Sequence, residues 1–283
     1  MLIEVEHWSG AGNRFVIVDY RKKEENIQWN CLVKSLCKRN ILADAEGLLV
    51  LIEINNKNST CVYDFYNPDG STGVMCGNGA RCAIKHVSLI ENLNNNSIKL
   101  VLNGCSYEGK LVNNDNVALR LPLYKELRFI DNWTYVNVGN HHVVIDARDL
   151  VKSIEEFHLF NLVKFSNEYI NIYRNKLSIY SININLAYLI NDQSIIYLRT
   201  YENGVFNETQ SCGTGAISTA ITFWMKNIIR NKIIYLMPIS KRLLTVHIDI
   251  DDKQESILGM ILEGDAKKDA PSNKFDTTSI KYL

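Results

Sequence analysis

Apolar and polar positions along the chain alternate in many short runs and recur at helical spacing in a few longer ones. Alternating or β-branched stretches predict strands at Phe15 to Asp19, Gly47 to Ile54, Thr60 to Tyr66, Ile98 to Leu102 and Asn116 to Leu121. Further strands are expected at Tyr135 to Val138, His142 to Ile145, Ser181 to Leu189, Ile195 to Tyr201 and Leu243 to Ile250. Helical spacing predicts helices over Gln28 to Asn40, Gly79 to Glu91, Asp149 to Lys164 and Gly215 to Trp224. Strands outnumber helices, with about two helices in each half, which points to an α+β fold. After Gly264 the chain reads as a polar tail that turns apolar at Ile280 to Leu283.

Within this pattern one unit occurs twice. Cys76-Gly-Asn-Gly-Ala-Arg opens the helix through Ala83, Val87 and Ile90, and Cys212-Gly-Thr-Gly-Ala-Ile opens another through Ala220 and Trp224. The copies lie 136 positions apart, about half the chain. A unit used twice predicts two pseudo-symmetric domains, 1–123 and 124–267, with the tail 268–283 returning to the first. The linker is expected near Leu123 to Arg128.

Composition narrows the function. With 283 residues, 46% of them apolar, the chain can bury a real core. Its formal net charge is zero, so no basic field suits a nucleic-acid backbone. The N-terminus does not read as a signal peptide, and no run of about 18 apolar residues predicts a membrane span. Seven cysteines at irregular spacing read as reduced thiols of a cytoplasmic protein rather than a disulfide framework. Cys31, Cys37, Cys61, Cys82 and Cys105 read as small buried hydrophobes. No spacing suggests a metal site.

Cys76 and Cys212 read differently, because each begins a glycine-rich helix start. Inverting an amino-acid α-carbon requires a base on one face and an acid on the other. Two thiols suit this, since a helix N-terminus favours the thiolate. The first-turn amides and the helix dipole also make an anion site for the substrate α-carboxylate and for enolate-like charge in the transition state. Such a site calls for no metal and no pyridoxal cofactor.

These residues belong to a longer set. The chain resembles the diaminopimelate epimerase family from end to end. The family's Gly-Ala-Gly-Asn-Asp-Phe is matched by Gly10 to Phe15, and its Asn-x-Asp-Gly-Ser…Cys-Gly-Asn-Gly-Ala-Arg-Cys by Asn67 to Ser71 and Cys76 to Cys82. Gly-Asn-Pro-His is matched by Gly139-Asn140-His141-His142, and Asn-Val-Asn-Phe by Asn183 to Leu186. Glu-Arg-Gly…Glu-Thr…Cys-Gly-Thr-Gly is matched by Glu202-Asn203-Gly204…Glu208-Thr209 and Cys212 to Gly215. The resemblance implies a mixed sheet wrapped round a central helix in each domain, with Cys76 and Cys212 as the catalytic pair. It implies His142 and Glu202 as neighbours that set thiol protonation. The amides of Gly77, Asn78, Gly213 and Thr214 would hold the α-carboxylate, and Asn13, Asn67, Asn140 and Asn183 would face the rest of the substrate. A homodimer is the assembly common in the family.

The departures fall on substrate recognition. Where the family carries an arginine for a distal carboxylate, this chain has Asn203, which cannot form a bidentate ionic fork. Arg14, Glu46 and His141 also replace family residues, and the loop at Phe206-Asn207 is one residue longer. These changes lead us to expect a substrate with one carboxylate, such as histidine, with Glu46, Asn203 and His141 offering hydrogen bonds. Diaminopimelate is the alternative, with Arg14 as the replacement cation. Phenazine-type isomerases use a carboxylate in place of the thiol pair, and the blocks fit proline-type epimerases less well. A non-catalytic amino-acid-binding protein would not need both thiols.

Overall fold

The computed structural model describes residues 2–22, 26–38, 45–72, 76–92, 97–190, 195–251, 253 and 256–277. The strands in chain order begin with β1 (Leu2–Gly10), β2 (Asn13–Asp19), β3 (Leu48–Asn55), β4 (Thr60–Tyr66), β5 (Ile98–Leu102), β6 (Cys105–Leu111) and β7 (Asn116–Leu121). They continue with β8 (Glu126–Ile130), β9 (Trp133–Asn137), β10 (His141–Asp146), β11 (Asn183–Ile190), β12 (Ile195–Glu202) and β13 (Asn207–Thr209). The last are β14 (Ile233–Pro238), β15 (Leu244–Asp251), β16 (Ser256–Asp265) and β17 (Lys267–Asp276). The helices are α1 (Trp29–Lys38), α2 (Gly77–Ile90), α3 (Ile154–Leu159), α4 (Leu162–Leu177) and α5 (Gly213–Met225). This is the α+β class, dominated by strands, and none of the described helices is long and apolar enough to cross a membrane.

Two compact units divide the chain, 1–120 with 264–283, and 121–263. In the first, strands pair in the order β17–β1–β2–β3–β4–β5–β6–β7, with β2–β3 and β4–β5 parallel and the rest antiparallel. In the second the order is β8–β9–β10–β11–β12–β14–β15–β16, with β10–β11 and β12–β14 parallel and the rest antiparallel. The two patterns coincide strand for strand. Parallel neighbours need a crossover. In each unit one crossover carries the central helix, α2 or α5.

The central helices are buried on all sides: every residue from Gly77 to Ser88, and from Gly213 to Trp224, is buried. A helix covered all round must be wrapped by its sheet, and α5 packs on β9, β10, β11, β14 and β15. The outer helices are one-sided. In α1 the buried positions are Trp29, Leu32, Val33, Leu36 and Cys37, an i, i+3, i+4, i+7, i+8 stripe laid on β2, β3 and β4.

Several expectations need correction. The helix expected over Asp149 to Lys164 is two helices, because Phe160 is extended (ψ 131°) and Asn161 caps a new start by accepting the Lys164 amide. The polar tail contains β17, paired antiparallel with β1; Ile280 to Leu283, and the Arg39-Asn40 end expected for the first helix, lie outside the described residues. Cys31 and Cys105 are exposed, while Cys37, Cys61 and Cys82 are buried. Strands β1, β6, β8, β13, β14 and β16 also escaped the pattern reading.

Candidate active site

Cys76 and Cys212 are the N-caps of α2 and α5, with nearly the same backbone: φ −119°, ψ 104° and φ −126°, ψ 113°. Each sulfur accepts an amide from the third residue of its helix, Gly79 at 3.5 Å and Gly215 at 3.4 Å. The cap position is usually filled by an oxygen side chain; here sulfur takes the role, in a donor geometry that a thiolate can use. The amides of Gly77 and Asn78, and of Gly213 and Thr214, stand in the first turn, where an α-helix offers no internal acceptor.

Around Cys212 the second unit builds a buried polar chain. The Asn185 amide nitrogen donates to His142 Nδ1 (3.0 Å) and to the Val143 carbonyl (3.1 Å), and its Oδ1 accepts from Thr200 Oγ1 (3.0 Å). Thr200 therefore fixes the amide's orientation, and the amide fixes the tautomer: Nδ1 accepts, so Nε2–H donates to Thr214 Oγ1 at 3.0 Å. The Thr214 hydroxyl proton is then free to point at Cys212 Sγ, 3.4 Å away. Burial pushes His142 down from 6.5 to about 3, so the ring is neutral. His142, expected as a neighbour of the thiol, is linked to it through Thr214. Gly215 is required here, because a Cβ would run into Asn185 Oδ1.

Glu202 is a second neighbour of Cys212. Burial raises its pKa, while hydrogen bonds from Thr209 and from the Cys212 thiol oppose the rise. Thr209 Oγ1 donates to Glu202 Oε1 at 2.6 Å. The short strand carrying Thr209 is braced by Arg199, whose Nε and Nη2 fork onto the Glu208 carboxylate at 2.6 Å each, with Nη1 on the Phe157 and Phe160 carbonyls.

The remaining expected residues divide by unit. Asn13 is buried at the start of β2, after a tight turn in which Ala11 (φ 50°) and Gly12 (φ 97°) are both left-handed. The Glu46 amide donates to the Arg14 carbonyl at 2.8 Å. The Asn67 side chain donates to Ser71 Oγ within its own turn, and Asn78 Oδ1 accepts from the buried Arg81 at 2.7 Å. In the second unit Asn140 follows Gly139 (φ 105°), as Asn13 follows Gly12. Asn183 Oδ1 accepts the Asn203 amide at 2.9 Å. Asn203 turns its side chain to Ser181 Oγ (3.0 Å) and Arg174 Nη2 (2.6 Å), and His141 is held by the Tyr135 hydroxyl at 2.7 Å. Asn185, Thr200, Thr209 and Arg174 were not singled out from sequence. Two of them had a signal: Asn185 as the second asparagine of the Asn183 to Leu186 block, and Thr209 as the threonine of the Glu208-Thr209 match.

The duplicated sheet-and-helix unit is a fold shared with several solved structures. Solved structures of this shape include a phenazine biosynthesis protein of the PhzF family from Bacillus anthracis (TM-score 0.69, 14% identity, 97% of this chain and 99% of that one). A hydroxyproline epimerase from Agrobacterium vitis, with bound trans-4-hydroxy-L-proline, superposes with TM-score 0.66 at 11% identity over 97% and 91% of the chains. The family model described as diaminopimelate epimerase matches residues 7–120. A diaminopimelate epimerase of Flavobacterium psychrophilum is 31% identical over 214 residues, 76% of this chain and 78% of that protein. One from Aquifex aeolicus is 27% identical over 276 residues, 91% and 95%. The chain belongs to the diaminopimelate epimerase family. It is an isomerase of amino acids, an epimerase or racemase carried on this fold.

Proposed function

We propose that this chain epimerises diaminopimelate with two thiols and no cofactor. The observation that carries the chemistry is the pair of equivalent sulfur caps at Cys76 and Cys212. A thiolate at one cysteine takes the α-proton, breaking Cα–H and forming S–H. The electron pair passes into the α-carboxylate, whose enolate-like charge is held by first-turn amides. The thiol of the other cysteine then delivers its proton to the opposite face of Cα and is left as thiolate. Atoms and charge balance within the protein, and the reverse reaction exchanges the roles. Glu202 and the Asn185–His142–Thr214 chain tune the proton on Cys212.

The relatives named as diaminopimelate epimerases support this substrate over histidine. The histidine expectation rested on Asn203, which carries no charge for a second carboxylate; the cation for that group must then come from elsewhere in the chain. Incubation with LL-diaminopimelate in D₂O, without pyridoxal phosphate and with a chelator present, should wash deuterium into the α-position and yield the meso form. No exchange with diaminopimelate, beside ready exchange with L-histidine, would refute the substrate assignment and leave the two-thiol chemistry standing.

A further inference from the structure

We infer that Arg174 is the specificity-determining cation for the far carboxylate of the substrate, an inference that rests on the diaminopimelate reading above. A substrate with a carboxylate at each end spends one on the amides of a helix start. The other would be costly to desolvate without a positive partner. In the second unit the strand that carries Glu202 to Cys212 continues into Asn203, and against Asn203 stands a guanidinium from the last turn of α4. Arg174 Nη2 lies 2.6 Å from Asn203 Oδ1, and Nη1 is 3.4 Å from Asn171 Oδ1. Its Nε is buried with no hydrogen-bond partner among the described residues.

What marks this arginine is its place beside Asn203, taken together with its company. Arg128, Arg148 and Arg199 of the same unit each pair with a carboxylate, Glu126, Asp146 and Glu208, and Arg230 lies over the Trp224 ring, away from the Glu202–Asn203 turn. Arg174 has none among the described residues; its two contacts are to neutral amide oxygens. A guanidinium is always charged and carries five donors in a planar fork matched to a carboxylate. Held by amides alone, it has donors to spare. Asn203 is itself anchored, its amide nitrogen on Ser181 and its backbone on Asn183, so it serves as a stay that aims Arg174. An arginine at position 203 would set a second cation against the first. The asparagine there marks a relocated cation, not a lost one.

The test compares wild type, Arg174→Ala, Arg174→Lys and Arg14→Ala with two probes. One is LL-diaminopimelate. The other is L-lysine, the same molecule without the far carboxylate, followed by α-proton exchange in D₂O at high enzyme concentration. Arg174→Ala should raise KM for diaminopimelate by about thirtyfold or more, the loss expected when one partner of a charge-assisted pair is removed. Its kcat should change less, and its exchange of lysine should match wild type. Arg174→Lys should fall between, and adding Asn203→Arg to Arg174→Ala should recover part of the loss. An unchanged KM in Arg174→Ala, an equal loss with both probes, or a KM effect confined to Arg14→Ala overturns the inference. Wild type inert toward diaminopimelate overturns the substrate reading itself, and this inference with it.

Discussion

The starts of α2 and α5 share a backbone and a sulfur cap, yet their surroundings differ. Five residues after Cys76 the buried Arg81 lays its guanidinium on Asn78 Oδ1 and the Gly77 carbonyl (3.4 Å). Five residues after Cys212 the equivalent position is Ile217, and the polar company comes from other elements: Thr214 with His142 and Asn185 behind it, and Glu202 with Thr209 behind that. One cysteine starts a helix that carries its own buried cation. The other starts a helix whose first turn is flanked by a carboxylate and a neutral imidazole. The repeat supplies two equivalent sulfur caps, and the side chains around them make the two unequal.

The harshest way to break the comparison is to remove each sulfur in turn. Cys76→Ala and Cys212→Ala should each lower epimerisation by at least about 10³-fold, near the upper range for a general acid or base. Cys→Ser at either position should be strongly impaired, because a hydroxyl is a much weaker acid than a thiol. Turnover of one stereoisomer to the other, measured from both sides, is the assay. A single alanine variant with near-normal rates would mean that the two caps do not share the work.

A smaller loss should follow from cutting the chain behind Cys212 alone. Thr214→Val separates the sulfur from His142, and Asn185→Leu frees the imidazole tautomer while leaving Thr200 without its acceptor. An unsatisfied buried group costs about 1–3 kcal/mol of stability, and rates should fall by less than the roughly 10²- to 10⁴-fold that a whole acid or base contributes. Under the proposed two-thiol mechanism the group being disturbed carries a proton, so the pH profile should shift as well. A pure stability loss, with an unaltered profile, would assign these residues to packing.

Much of this site can be read from sequence, for physical reasons that differ by residue. The cysteines, Gly215, Thr214 and Glu202 lie in short motifs, because a helix start and the strand before it are local structures. The chain behind Cys212 joins β10, β11 and β12 through residues that look ordinary one by one, and the register that aligns Asn185 with Thr200 is visible only once the strands are paired. Arg174 is harder still: it reaches Asn203 from a helix whose stripe of Leu162, Ser166, Ile170, Tyr173 and Leu177 begins beyond an unforeseen break at Phe160. Strand β17 is mostly exposed and polar, so it carries no alternation; it is ordered by its backbone ladder to β1. Helix α1, by contrast, is legible because one face alone is apolar.

Acid should test whether the imidazole behind Cys212 is truly neutral. His142 titrates near 3 in the fold against 6.5 ordinarily. Above pH 6.5 neither state binds the proton and the stabilisation is complete. As pH falls from there toward 3 the unfolded chain protonates and the folded one does not, so stability declines by about 1.4 kcal/mol per pH unit. His86 in α2, also held down by burial, adds to the same slope. Glu202, raised by burial, acts in the opposite sense, since protonating it relieves the fold. Urea midpoints at pH 7, 6 and 5 should drop in the native protein and drop less in His142→Asn. Equal slopes would place a charged histidine in the folded state.

The mildest comparison is between the two cap glycines. A Cβ on Gly79 would lie 3.3 Å from Phe15 Cε1 and 3.6 Å from Cys76 Sγ, contacts that a small ring movement relieves. Helix propensity favours alanine over glycine by about 1 kcal/mol, so Gly79→Ala should change stability by no more than that in either direction. A Cβ on Gly215 would run into Asn185 Oδ1 and stand 3.2 Å from both Cys212 Cβ and Thr200 Oγ1. Asn185 cannot yield without releasing His142 and Thr200, so Gly215→Ala should cost about 1–3 kcal/mol. Urea denaturation of the two variants reads the difference directly. If both cost the same, the polar chain behind Cys212 does not press on its helix start, and the inequality of the two caps has to be sought in Glu202 and Arg81 alone.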